Sequence, residues 1–198
     1  MTYLSDYETD SRKIRKGQTF IAIKGNTVDG HKYINQAIEN GASRVVVSEI
    51  GNYPVETIVV NDTEQYLQQE LVKNYAKDFE NLTLIGVTGT NGKTTTCYLT
   101  YQLLNQLGVK TAYIGTIGFY CNGEKRELPN TTPDILTLYK LLQSAKDADC
   151  THVVMEVSSH ALDKKRIEGL QFDVAAFTNL TQDHLDYHKT MENYLKAK

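Results

Sequence analysis

The stretch from Leu84 to Leu99, LIGVTGTNGKTTTCYL, constrains the fold more than any other part of the chain. A β-branched apolar run leads into small residues, then a lysine and three threonines, then a segment that reads as a helix. A strand passing through glycines into a helix is the setting a phosphate-binding loop requires. Gly89 and Gly92 let the backbone turn sharply and aim N–H groups inward, next to the positive end of the helix. Lys93 has the reach for terminal phosphates, and the hydroxyl of Thr94 is a hard ligand suited to magnesium. The match to G-x-x-x-x-G-K-[ST] is partial, because Val87 stands where the first glycine belongs, with Gly86 beside it. A glycine-rich turn without a nucleotide is the competing reading.

The surrounding pattern predicts an α/β protein with two domains. Residues 1–80 read as a small N-terminal α/β domain: TFIAIKG, RVVVSE and ETIVVND are strand-like, and YINQAIENGAS has helical apolar spacing with an Asn-Gly stop. TEQYLQQELVKNYAKDF reads as a helix leading away. Residues 81–198 read as a P-loop-type ATPase domain with a parallel sheet, in which LTLIGVTG, VKTAYIGT, THVVMEVSS and FDVAAFTNL alternate with helical segments. Four evident strands are few for that architecture, and MENYLKAK ends the chain in a helical pattern. The expectation is a domain truncated at its C-terminal end.

Composition narrows the function classes. The net charge of −3 comes without a long Lys/Arg block, which argues against a nucleic-acid partner. No apolar run approaches the roughly 18 residues needed to span a bilayer. Cys97, Cys121 and Cys150 are odd in number and far apart, a pattern that suits neither a disulfide framework nor a zinc site. Reduced thiols, a cytoplasmic location and a monomer are the expectations.

Two further segments carry chemistry. Glu156 ends the run THVVMEVSS, and a carboxylate at the end of a parallel strand lies where ligands bind in such sheets. A magnesium ligand and a buried ion-pair partner are its two readings. In FTNLTQDHLDYH, Asp183, His184 and Asp186 fall within four residues. Taken alone, His184 is as well explained as a helix cap or a surface histidine.

In order and spacing, TGTNGKTTT, MEVSSHAL and FTNLTQDHLDYH resemble the signatures of the Mur ligases, the ATP-dependent amide-forming enzymes of peptidoglycan synthesis. TDSRKIRKGQTFIAIKG, DGHKYINQAIENGA and LPNTTPD are similar to the branch of that family that adds the third residue of the peptide. The resemblance implies ATP at Gly89, Thr90, Asn91, Gly92, Lys93, Thr94 and Thr95. It implies Mg2+ at Thr94 and Glu156, and a second metal at His184. Lys198 falls where the family has a carbamylated lysine, although a lysine in a frayed helix is an alternative. Lys93, Glu156, His184 and Lys198 are thus the implied catalytic set.

The same resemblance implies that UDP-MurNAc-L-Ala-D-Glu is held by Ser11, Asn26, Thr27, Val28, Asn130, Thr131, Thr132, Ser158 and Arg166. By itself, Asp10-Ser11-Arg12 reads as a turn or helix cap. Lys164 stands where relatives often carry glutamine. The implied reaction joins diaminopimelate or L-lysine to the D-glutamate carboxylate through an acyl phosphate. Relatives continue into an amino-acid-binding C-terminal domain absent from these 198 residues, so little activity is expected of the chain alone. A non-catalytic UDP-sugar/ATP-binding remnant is one alternative. Another is a different amide ligase on the same ATPase core, such as folylpolyglutamate or cyanophycin synthetase.

Overall fold

Short β-branched runs become parallel strands in both halves of the chain. The structure, a computed structural model, describes residues 3–25 and 28–198. Two compact units part between Tyr75 and Ala76. Asn26 and Thr27 lie outside the described residues.

The first unit contains β1 (Tyr7–Glu8), β2 (Thr19–Ile21), α1 (Ile34–Glu39), β3 (Arg44–Val47), β4 (Glu56–Val59) and α2 (Thr63–Tyr75). Its four strands pair in sequence order, all parallel. The apolar spacing of α1 turns Ile34 and Ala37 onto Phe20, Ala22, Val45 and Val47, which form one buried cluster. β1 is only two residues long and has no period of its own to read. The segment 76–79, read as a continuation of α2, tightens instead into a 3-10 turn.

The second unit contains β5 (Thr83–Thr88), α3 (Lys93–Gln106), β6 (Thr111–Gly115), β7 (Gly118–Cys121), β8 (Glu124–Arg126), α4 (Ile135–Asp147), β9 (His152–Glu156), α5 (Ser159–Asp163), β10 (Val174–Phe177), α6 (Leu185–His188) and α7 (Met191–Ala197). Its six-stranded sheet has the order β10-β5-β9-β6-β7-β8. The four strands expected from the sequence are the parallel ones, and a hairpin extends the sheet beyond them. β8 is exposed along its length, so no apolar pattern marks it. Its signal is the turn: Asn122 and Gly123 both take positive φ (51° and 80°), the conformation of a two-residue hairpin loop.

This strand order positions the site. β5 lies between β10 and β9, so the C-terminal ends of three parallel strands surround the loop that follows β5. Among the described residues, no helix is long and apolar enough to cross a membrane.

Candidate active site

The loop after β5 turns at Gly89 (φ 135°) and Gly92 (φ 86°), and Gly92 caps the N-terminus of α3. A side chain at Gly89 would collide with Thr178 and the backbone of Asn179. The first N–H groups of α3 have no intrahelical acceptor, which makes the helix start an anion site. Lys93 folds back over the loop and donates from Nζ to the carbonyls of Gly89 and Thr90, both at 2.9 Å.

Residues that leave β10 hold the loop from below. Thr178 Oγ1 donates to the Asn91 carbonyl at 2.7 Å, and Asn179 Nδ2 donates to the same oxygen at 3.0 Å. The backbone N–H of Thr90 donates to the Asn179 carbonyl at 2.8 Å. Thr90 is buried, and its hydroxyl accepts from the Thr181 N–H at 3.0 Å and pairs with Tyr194 OH at 3.1 Å. Thr95 is exposed on the first turn of α3.

Glu156, at the end of β9, is fully buried beside Val87 of β5. Thr94 Oγ1 donates to its Oε2 at 2.8 Å, and Thr116 Oγ1 to the same oxygen at 3.1 Å. Tyr113 OH donates to Oε1 at 2.5 Å, and the Thr116 N–H at 2.9 Å. A Cβ at Gly115 would run into both the carboxylate and the Tyr113 hydroxyl, so glycine leaves the room for this pair. Burial, then the hydrogen bond to Glu156 and its charge, push the Tyr113 phenol well above its ordinary pKa. Four donors converge on one carboxylate, so the ion-pair reading of Glu156 is not what the geometry presents.

Thr94, Glu156 and Thr116 form an all-oxygen set at a helix start beside a lysine. That chemistry fits magnesium bound with a nucleotide triphosphate. For a second metal the fit is poorer. His184 adopts a left-handed backbone (φ 52°), and its Nδ1 lies 3.7 Å from Asp183 Oδ1. Among the described residues, no group of three or more His, Cys, Asp or Glu side chains is poised to hold a metal. The His184 ring packs edge-on against His160, at 5.0 Å between centroids, and against Tyr194 at 6.0 Å.

Lys198 reaches the loop from α7. Its Nζ donates to the Gly89 carbonyl at 2.8 Å and lies 4.9 Å from the centre of the Tyr194 ring. Burial, and secondarily the charge of Lys93, lower its pKa to about 8, with Asp183 opposing.

The residues expected at the nucleotide sugar fall in both units. Ser11 is buried in a 3-10 turn, donates from Oγ to Gln36 Oε1 at 2.6 Å, and its carbonyl accepts from Asn40 Nδ2. Asp10 caps that turn by accepting from the Arg12 N–H, as the local reading of DSR expects. Val28 is exposed. In the second unit Asn130 is exposed, and Thr131 Oγ1 lies 3.0 Å from Thr116 Oγ1, next to the carboxylate. Thr132 is buried: its hydroxyl donates to the Glu156 carbonyl and accepts from the Ser158 N–H, while its carbonyl accepts from Arg166 Nη1 at 2.8 Å. Ser158 Oγ caps α5 by accepting from the Ala161 N–H.

Sequence reasoning missed Tyr113, Thr116, Thr178, Thr181 and Tyr194. Thr116 was findable, because it follows β6 at the same sheet end that singles out Glu156. Thr178 and Thr181 stand inside FTNLTQDHLDYH, where only the carboxylates and the imidazole drew notice, while Tyr113 and Tyr194 meet Glu156 and Thr90 from elements far away in sequence and carry no local signal.

Residues 87–198 match the Mur ligase middle domain. Residues 5–80 match the catalytic domain of the Mur ligase family. The chain belongs to the Mur ligase family. Among relatives, the UDP-N-acetylmuramoyl-L-alanyl-D-glutamate--2,6-diaminopimelate ligase of Parabacteroides distasonis is 46% identical over 98% of this chain and 41% of its own length. The ligase of the same name from Bacillus velezensis is 43% identical over 98% of this chain and 40% of its own length. The chain therefore spans about two-fifths of the length of the curated relatives it matches. A solved structure of such a diaminopimelate ligase superimposes with a TM-score of 0.78 at 32% identity, over 96% of this chain and 39% of that one. The MurF ligase of Thermotoga maritima, solved in complex with ADP, shares the fold with a TM-score of 0.68 at 24% identity, over 100% of this chain and 43% of its own. These Mur ligase neighbours have the mixed α/β architecture and parallel sheets described above.

Proposed function

We propose that this chain carries the nucleotide-sugar domain and the front of the ATP site of a peptidoglycan ligase. The reaction joins an amino acid to UDP-MurNAc-L-Ala-D-Glu in the cytoplasm, and the relatives' names favour diaminopimelate over lysine as the amine. The carrying observation is Glu156, buried at the phosphate loop and bonded to Thr94.

A carboxylate is a poor electrophile at neutral pH. Transfer of the γ-phosphoryl group to the D-glutamate side chain makes an acyl phosphate and releases ADP. Attack by the amine then forms the amide and releases phosphate. In this reading Lys93 leaves the loop carbonyls for the phosphate oxygens, and the start of α3 supplies N–H donors. These preorganised donors act where charge develops. Thr94 and Glu156 would hold magnesium, whose charge would offset repulsion between the carboxylate and the phosphates. Thr131 and Arg166 lie at the same sheet end, where the muramoyl-peptide is expected, with Thr132 and Ser158 as supports behind them. Ser11 and the segment ending at Val28 are assigned to the uridine nucleotide.

Lys198 is assigned as a carbamate: its neutral amine adds CO2 and releases a proton. With a pKa of about 8, roughly a quarter of the amine is neutral at pH 7.5.

The test is titration of the 198-residue chain with Mg·ATP and with UDP-MurNAc-L-Ala-D-Glu, together with turnover in the presence of diaminopimelate or lysine. Binding of both nucleotides, with the dipeptide nucleotide weakened by Ser11→Ala, is the expected result. Because the chain spans about two-fifths of its relatives, little or no tripeptide is expected from it alone. Failure to bind either nucleotide overturns the reading.

A further inference from the structure

The three cysteines are too far apart in sequence for a disulfide framework, yet the fold brings two of them together. Cys121 at the end of β7 and Cys150 just before β9 stand 29 positions apart, with their Sγ atoms at 3.6 Å. Both are free, and both are buried. We infer that this pair is an oxidisable dithiol, converted by a hydroperoxide into an intramolecular disulfide.

The geometry favours bridging over terminal oxidation. A disulfide needs about 2.05 Å between sulfurs, so the two must approach by only about 1.5 Å. Cys121 also lines a cavity of about 110 Å3 with Phe119, Asn122, Glu124 and Arg126. A water occupies about 30 Å3, so a small peroxide has room beside that sulfur. Cys150 does not line the cavity. Burial and the contact with Cys121 push its thiol up to about 12. Cys121 is therefore the sulfur that meets the oxidant first.

Two balanced steps follow. Cys121 thiol and the hydroperoxide give a sulfenic acid and an alcohol, or water from hydrogen peroxide. Cys150 sulfur then attacks the sulfenic sulfur, forming the S–S bond and releasing water. Both sulfurs are oxidised and the peroxide is reduced. Cys97 is the internal control: it is fully buried, and burial holds its thiol at about 12.

The bridge pins the β7–β8 hairpin to the start of β9. β7 runs antiparallel to β6, so both cysteines sit at the strand ends opposite the phosphate loop. The modification therefore stands apart from the nucleotide site.

The experiment treats the folded 198-residue chain with hydrogen peroxide at pH 7.5, removes the peroxide, and then alkylates the remaining thiols after unfolding in denaturant. The expected result is a loss of about 2 Da, one alkylated thiol instead of three, and a non-reduced peptide joining Cys121 to Cys150. Cys97→Ser keeps the bridge. Cys150→Ser traps a dimedone-reactive sulfenic acid on Cys121. The peptide map of the unsubstituted chain decides by itself if a variant fails to fold. An unchanged mass, first oxidation at Cys97, or a bridge between two molecules overturns the inference.

Discussion

Tyr113→Phe removes one of the four donors to Glu156 and leaves the ring in place. That ring packs against Tyr98, Tyr101 and Tyr120 at centroid distances of 5.6, 6.1 and 5.8 Å, and phenylalanine preserves these contacts. The lost interaction is a 2.5 Å hydrogen bond to Oε1 of a fully buried carboxylate. Hydrogen bonds to charged groups contribute about 1.5–3 kcal/mol, and desolvation of the phenol offsets part of that. About 2 kcal/mol of local stability should be lost. The two units need not unfold together, so amide exchange in β5 and β9 is a better gauge than a global melt. At about 1.4 kcal/mol per tenfold change, exchange there should speed up by roughly 30-fold. A cycle with Glu156→Gln should return a coupling of about 1–2 kcal/mol. Additive effects, or an exchange rate within a factor of two of the parent, would refute the claim that the phenol supports the carboxylate.

Other consequences are equally direct. Lys93→Met should retain the fold and weaken Mg·ATP by at least about tenfold in calorimetry, the cost of a lost charge-assisted contact. Thr132→Val keeps the shape but removes the hydroxyl that joins Glu156 to Ser158, so unfolding of the second unit should become easier by about 1–3 kcal/mol by amide exchange. The pKa of Lys198 is lowered, so the fold disfavours its charged form: stability is penalised below about 8 and regained as pH rises from there toward the ordinary lysine value. Uptake of 13C-labelled CO2 at Lys198, followed by NMR, should accordingly rise through pH 8, and Lys198→Arg should abolish the signal.

How much of this was legible in the sequence depended on the range of the interactions. The β5–loop–α3 unit announced itself because an apolar run, two glycines and a lysine followed by threonines act within one short segment. Glu156 was legible from a rule about strand ends. The first unit's helix was legible from Ile34 and Ala37, which bury one face. The β7–β8 hairpin was hidden because its outer strand is solvated and obeys no apolar period; only Asn122-Gly123 marked it. Tyr113 read as an ordinary strand tyrosine, since nothing local tells that its hydroxyl meets a carboxylate 43 positions later. Thr132 was legible only through the family motif, which marks it as a ligand contact; that it also ties Glu156, Ser158 and Arg166 together has no local signal.

The bracing of the phosphate loop by residues after β10 bears on how the protein is made. Thr178 donates to carbonyls in a segment about 90 positions upstream, and Tyr194 and Lys198 close on the loop later still. A ribosome adds about 5–20 residues per second, so the loop waits roughly 5–20 s after its own synthesis for those partners. The first unit has no such debt, because its four strands pair among themselves. A nascent chain arrested before β10 would present a folded first unit, an unbraced loop and an unpaired edge on β5, the kind of edge that invites mispairing in that interval.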